Sequence, residues 1–580
     1  EKLGELPILQ HPEKFAAYIQ SIEMAVEKTV QHLNPATVEV LEWLREQQMT
    51  TVLVSDFYLP GPYFIRMLEH MGLRKHFDHI YVSADHKLAK GSGRLYWKIC
   101  SDLNCLPQQM LMLGDNPQAD IIKANEFGLS CLYLINPTQK TYYRQWQPES
   151  LTTPDKVEQR FAEAIAQEGE FREISTTLWY FIWQLFQELH RSNTKDVFFF
   201  SKEGEFLKKL FEQIQYDLFG CQIIRSHYLL VSRKATFLAS LRPLGEEDFS
   251  RLLNHYHNIS LRDFLLSLNI EEPLALAICE AAGLDFHRRL DNIQTRSEFK
   301  ELLASEQFQR LYATRRAEQR ENLITYLNSF GINYQEQGLT TVDIGWKGSI
   351  QDNLYHALDG QVLVKGFYAG ILHATERRAN NLKQGILFDT THPGRPYFNV
   401  YNNNRSLFEM ILGASHGSAD GYYTEEQFAQ LPQGHQREIR HRISTEQGDL
   451  LVTTLDLPEE RALFKEKIKP IQEQTYQDTH RLNQAFIRSG CTAPTTEWFA
   501  RYHARMVFTP TRSEVDFFES LYHLENFGIF EYTNFQTEQR LSPLQRVKNL
   551  ILLRRDPAIL EAGTWPPIIL RRLGLDFYRH

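Results

Sequence analysis

Asp115 and Asp120 close the stretch "LMLGDNPQAD" (111–120), where an apolar run ends in glycine and two acids follow. A continuous apolar run of this kind reads as a buried parallel strand. Acids just past its C-terminal end could hold magnesium, a cation that prefers oxygen ligands. Two further polar groups stand at the ends of elements nearby: Ser55, which ends "TTVLVS", and Lys90, which precedes "GSGRLY". The plainer alternative is a strand-end acid that favours the next helix N-terminus, with a surface lysine nearby.

A second set lies in "TTVDIGWKGSIQDNL" (340–354). Asp343 ends a strand, Gly345 allows a tight turn, and Lys347, Gly348 and Ser349 lead into a helix, whose first amides attract anions. The order of residues is neither a Walker loop nor the Gly-x-Gly-x-x-Gly dinucleotide fingerprint. "FFFSKEGEFL" repeats the layout with Lys202, Glu203 and Glu205, and "YLLVSRKATF" puts Arg233 and Lys234 past another strand. Arginine suits bidentate phosphate binding. His416, in the glycine-rich "GASHGSADGY", is placed to act on a ligand beneath a closing loop. Against these stand a well-capped helix, a surface arginine and a structural histidine.

These groups need a sheet to aim them. Over 50–136, apolar strands alternate with helices, the pattern of a parallel sheet covered on both faces. The fold class expected is α/β throughout. Residues 1–136 form a first module, with 1–48 as helices, and 137–173 a polar linker. Residues 174–425 form a larger α/β module, and 426–580 its helical C-terminal part. At 580 residues and 23% charged, the chain has the length and composition of a multidomain globular protein. A net charge of −9 argues against a nucleic-acid binder. Six scattered cysteines suggest reduced thiols rather than zinc or a disulfide framework. No apolar run is long enough to span a membrane. The expected location is the cytoplasm, extending to the inner-membrane surface if the apolar and basic "WPPIILRRLGLDFYRH" docks there.

Ser55, Lys90 and Asp115 are spaced like the second, third and fourth motifs of the haloacid dehalogenase superfamily, and residues 1–135 resemble it. The resemblance implies magnesium-dependent phosphate-ester hydrolysis. Ser55 and Lys90 would contact phosphate, and Asp115, assisted by Asp120, would hold Mg²⁺. The family's nucleophile is the first of two aspartates two positions apart, yet Asp56 is followed by Phe57 and Tyr58, and residues 1–54 contain no Asp. The expectation is therefore a first strand missing from this sequence, with 1–48 the tail of a helical cap. Either an upstream piece carries the nucleophile, or the module is a relic without hydrolytic activity.

The series "SDFYLP", "SKEG", "SRKA", "DIGWKGSIQ" and "HGS" is similar to a bacterial two-module family of surface-polysaccharide (O-antigen and capsule) biosynthesis. That resemblance implies a glycosyltransferase moving a 5-phosphoribosyl (ribofuranose) unit from phosphoribosyl pyrophosphate (PRPP) to a glycan, lipid-linked acceptors included. A phosphatase module would then remove the phosphate. Asp343, Glu203 and His416 would be catalytic, and Lys202, Arg233, Lys347, Gly348 and Ser349 would hold the donor. Glu203 stands where the family pattern has Asp. Two rivals remain open: a sugar-phosphate phosphatase lacking its nucleophile here, and a non-catalytic adaptor on a degenerate platform. A nucleotide sugar as donor also stays open.

Overall fold

The computed structural model describes residues 20–28, 31, 33, 35–134, 153–165, 168–253, 258–372, 378–391, 397–431, 437–446, 448–526, 530–534, 541–561 and 565–575. The chain separates into two compact units. The first comprises 1–157 with 215–223 and 484–493; the second comprises 158–214, 224–483 and 494–580. Residues 137–152 and 166–167 of the expected linker lie outside the described residues, and the part between them contains a helix, Pro154–Ala164. No helix among the described residues is long and apolar enough to cross a membrane.

In the first unit, residues 20–28 are helical and α1 (Pro35–Glu46) follows, as the sequence suggests; residues 1–19 of the expected cap tail lie outside the described set. Strand β1 (Val52–Ser55) pairs in parallel with β2 (His79–Val82), and α2 (Gly61–His70) connects them. The chain continues through α3 (Arg94–Leu103) into β3 (Leu111–Gly114), which pairs in parallel with β4 (Ser130–Tyr133). The sequence pattern suggests one buried sheet. Instead the described strands form two separate pairs. Burial is correspondingly poor: β1 is only half-buried along its length, and Leu111 and Leu132 are 57% and 52% exposed. A two-stranded sheet has too little apolar face to be stable alone.

The second unit carries a five-stranded parallel sheet. Its strands are β5 (Asp196–Phe200), β6 (Arg225–Leu229), β9 (Leu339–Asp343), β10 (Val364–Ile371) and β11 (Asn381–Asp389), in the order β11-β10-β9-β5-β6. Every residue of the "DVFFF" strand β5 is buried, which is why its sequence is continuously rather than alternately apolar. From β5 the chain moves one way to β6, then returns to the other side as β9. Strands β5 and β9 are therefore neighbours across a reversal of strand order, where open α/β sheets form a crevice at their C-terminal ends. Between β6 and β9 lies a mainly helical region with its own core around Phe249, Phe264, Phe299 and Phe308, and a short antiparallel pair, β7 (Asn258–Ser260) and β8 (Arg289–Asp291).

Two expectations need correction here. The sequence pattern does not announce strand β11, nor the antiparallel sheet of β12 (Ala419–Thr424), β13 (Arg437–Thr445) and β14 (Gly448–Leu455). The glycine-rich "ADGYYT" is thus a buried strand rather than loop, and the C-terminal part is not purely helical. The charged side chains of "REIRHRIST" lie on a partly exposed edge strand, a pattern easily read as a solvated helix.

Candidate functional site

In the first unit, Lys90 reaches across to the segment that follows β3. Its Nζ pairs with Asp120 Oδ1 at 2.7 Å, while Asp120 Oδ2 accepts from the Asn116 amide at 3.1 Å. Asp120 is buried against the end of β3, and a Cβ on Gly114 would lie 2.1 Å from its Oδ2, so glycine is required there. Asp56 does not point to nucleophilic duty. Its carboxylate accepts from the amides of Lys90 (2.6 Å) and Gly91 (2.9 Å), fixing the turn that presents the lysine. Ser83 is likewise occupied, accepting from Phe57 N and donating to Phe57 O at 2.9 Å each. Ser55 and Asp115 sit at the C-terminal ends of β1 and β3, as their sequence positions suggest.

The magnesium expectation meets a sparse ligand set. Among the described residues, no three His, Cys, Asp or Glu side chains converge as a cage. Both Asp120 oxygens are engaged, which leaves Asp115, just past β3, as the remaining member of the expected ligand pair. One carboxylate does not fit a resident ion.

The second unit gathers more. The ends of β5 and β6 are stitched by Ser201, whose Oγ donates to Val231 O (2.6 Å) and accepts from Val231 N (2.9 Å). This fixes the backbone on which Lys202, Glu203 and Arg233 follow. Lys202 pairs with Glu460 at 3.5 Å. Arg233 is exposed at the start of α4 (Arg233–Phe237), whereas its neighbour Lys234 is buried on Asp420 at 2.8 Å, with Arg437 on the same carboxylate at 2.6 Å. Of these adjacent cations the first is exposed, whereas the second holds the fold.

Asp343 closes β9, buried, with its Oδ1 accepting from Ile344 N at 2.7 Å. Its carboxyl is held well above the usual range, first by burial and then by the charge of Glu203; Glu409 adds to the shift, while the Ile344 amide and Arg233 oppose it. The loop after β9 leads through Trp346 and exposed Lys347 to Gly348, the left-handed N-cap of α5 (Ser349–Ala357). A Cβ on Gly348 would lie 2.8 Å from Lys383 Cε. Lys383 itself pairs with Asp352 at 2.6 Å and donates to Lys347 O at 3.3 Å, anchoring the loop from beneath.

Glu409, on α6 (Arg405–Ile411), belongs to the same cluster, although it ends no strand and opens no loop. Trp346 explains how it arrives. The indole Nε1 donates to Glu409 Oε1 at 2.7 Å, and Arg405, one turn earlier on α6, lies over the ring at 5.9 Å. Burial raises the Glu409 carboxyl to about 7; the Trp346 hydrogen bond opposes the shift, Glu203 adds to it, and Arg233 and Arg405 oppose it. Asp343, Glu203, Glu409, Arg233 and Arg405 therefore form one electrostatic cluster. The available sequence signal is a lone acid inside the apolar "SLFEMIL".

His416 has a different setting. Its Nδ1 faces Gly417 O at 2.7 Å and its Nε2 faces the Tyr228 hydroxyl at 2.9 Å, so both ring nitrogens are engaged. With Nδ1 donating, Nε2 accepts from the tyrosine; burial depresses the imidazole below its ordinary value and keeps it neutral. Next to it, Ser415 N and Oγ each donate to the Glu205 carboxylate at 2.7 Å. The 415–417 loop is pinned rather than poised to close, and this suits positioning better than proton transfer.

No curated protein matches the chain. Residues 2–134 match the haloacid dehalogenase-like hydrolase family, close to the span over which Ser55, Lys90 and Asp115 suggested it. The first unit thus carries a haloacid dehalogenase-like hydrolase domain.

Proposed function

We propose that the second unit is a glycosyltransferase of bacterial surface-polysaccharide assembly, moving a 5-phosphoribosyl unit from PRPP to a glycan hydroxyl. The observation that carries this reading is the cluster of Arg233, Glu203, Asp343 and Glu409 at the switch point between β5 and β9. Cations there suit a diphosphate donor, and carboxyls suit ribose hydroxyls. Arg233, Lys202, Lys347 and the amides of Gly348 and Ser349 would hold phosphates. Asp343, whose buried carboxyl is held well above its ordinary range, would donate a hydrogen bond to a ribose oxygen when protonated, and Glu203 would accept one. Glu409, with its carboxyl near 7, is matched to general-base work at neutral pH. In the step itself the bond from ribose C1 to the pyrophosphate oxygen breaks, and pyrophosphate leaves with the electron pair. The acceptor oxygen bonds to C1, and its proton passes to Glu409. Magnesium would arrive as part of the metal–diphosphate substrate. This chain alone lacks the family's nucleophile; were an upstream strand to supply it, the hydrolase domain would then convert the 5-phosphate and water to a free hydroxyl and inorganic phosphate.

Calorimetry with PRPP and magnesium, beside a nucleotide-sugar panel, tests the donor. Binding of PRPP that is lost in Asp343→Ala and Arg233→Ala supports the reading. Binding of a nucleotide sugar instead would replace the donor, and binding of neither would refute the transferase. A second reading, a sugar-phosphate phosphatase, is favoured by the two separate strand pairs of the first unit. A parallel strand joining them would complete one sheet, and Lys90 and Asp120 are already paired at its end. Gene sequence upstream of Glu1 that encodes Asp-x-Asp after an apolar strand would support it. Absence of such a sequence would remove it.

A further inference from the structure

Helix α7 (Pro543–Arg555) is a well-formed helix that buries none of its residues. Its start is secured locally. Pro543 occupies the first turn, Ser542 Oγ accepts from Gln545 N at 3.4 Å, and Gln545 Oε1 accepts from Ser542 N at 3.0 Å. One side is held to the protein. Asn549 Nδ2 donates to Leu573 O at 3.0 Å, and the stem of Arg546 lies beside Gly574. On the opposite side Leu544, Val547 and Ile551 fall at i, i+3 and i+7, a single stripe, and they are 76%, 56% and 49% exposed. Leu550 and Leu552 flank it, each 49% exposed.

The charge on this helix is one-sided. Arg546, Lys548, Arg554 and Arg555 are its charged residues, and it contains no acid, in a chain whose net charge is −9. Lys548 and Arg555 extend the apolar stripe itself, one turn and three turns on from Leu544. Long basic side chains beside exposed aliphatic ones suit an interface where apolar groups enter an acyl layer and cations reach phosphate headgroups. A nucleic acid would use the cations but leave the stripe in water, and an apolar partner would use the stripe but strand the cations. At 13 residues, the helix is about 20 Å long. That length lies on a bilayer rather than crossing it.

We propose that α7 docks this protein on the surface of an anionic bilayer, with Leu544, Val547 and Ile551 inserted among the acyl chains and Lys548, Arg554 and Arg555 at the phosphates. The inference is independent of the sugar-transfer reading. The experiment is co-sedimentation of the full chain with large vesicles of phosphatidylcholine, either alone or with about 30 mol% phosphatidylglycerol. Binding to the anionic vesicles, weak binding to the neutral ones and weakening by salt are expected. Lys548→Glu/Arg555→Glu should lower binding at least about thirtyfold, since each basic residue near such a surface contributes about fivefold. Val547→Ser/Ile551→Ser should abolish binding at moderate salt while leaving the thermal midpoint unchanged, because neither residue is buried in the fold. Binding that survives both variants would overturn the proposal. So would absence of binding to anionic vesicles, or salt-sensitive capture of an oligonucleotide by α7 that is indifferent to the serine variant.

Discussion

Replacing Glu409 by Gln should stabilise the protein, and increasingly so as pH rises. The folded carboxyl is raised from 4.5 to about 7, chiefly by burial, whereas in the unfolded chain it ionises near its ordinary value. Between those two values the folded state holds a proton that the unfolded state has released. Stability from this group is therefore lost as pH climbs from about 4.5 to about 7, and the loss is complete above it. Each tenfold difference in proton affinity between the two states is worth about 1.4 kcal/mol, giving an upper bound of about 3.5 kcal/mol. The side chain keeps some solvent contact, so about 2–3 kcal/mol is the working figure. Glutamine keeps the shape and can still accept from Trp346 Nε1, but it does not ionise. The assay is urea unfolding of parent and variant at pH 5 and pH 8, following the transition of the second unit by tryptophan fluorescence. Any pH-independent cost of the substitution cancels when the two pH values are compared. The variant's advantage should grow by about 2 kcal/mol between them. Parallel behaviour at both pH values would refute the buried, proton-holding carboxyl and with it the general-base assignment.

Three other outcomes follow from the same geometry. Glu203→Gln removes a negative neighbour that raises both Asp343 and Glu409, so the ascending limb of the pH profile for acceptor-dependent pyrophosphate release should move to lower pH; an unmoved limb would separate Glu203 from the cluster. Asp420→Asn leaves Lys234 and Arg437 buried without their carboxylate and should cost about 3–5 kcal/mol in thermal or urea unfolding, and an unchanged midpoint would deny that triad its structural role. In the first unit, Lys90→Met strands Asp120, which is 2% exposed, and should cost about 3 kcal/mol there while PRPP affinity measured by calorimetry stays the same. A fall in PRPP affinity would place donor binding in the wrong unit.

What can be read from the sequence is what depends on local order. The strands ending in Ser55, Gly114, Phe200 and Asp343 are short, largely apolar runs bounded by turn residues, so existence, type and polarity can all be inferred from them. Strand order is not local. Nothing in "DVFFF" or "TTVD" states that β5 and β9 lie side by side, yet that adjacency makes one crevice of two separate motifs. The missed strands have a different cause. Strand β11 contains Lys383 and Gln384 between its apolar residues, and Lys383 is buried only because Asp352 and the Lys347 carbonyl meet its ammonium. A lysine inside a strand reads as solvent-facing unless its partner is known.

Glu409 shows why the site itself is only half legible. Reading outward from strand ends finds groups that the backbone aims directly, such as Asp343 and Arg233. It cannot find a group delivered by packing. Glu409 reaches the crevice because Trp346 folds over from the β9 loop, stacks on Phe388 at 5.8 Å and donates to the carboxylate, while Arg405 shares its helix face at i, i+4. In "SLFEMIL" the acid stands alone among mostly apolar neighbours. A burial-minded reading therefore assigns the segment to the core and passes over its one exception. The physical rule runs the other way: an acid in an apolar helix costs free energy unless something uses or neutralises it. Here Trp346 and two arginines offset only part of that cost, and the carboxyl remains near 7. The uncompensated part is what singles out Glu409 as the candidate base proposed above, and the pH 5 to pH 8 comparison measures it.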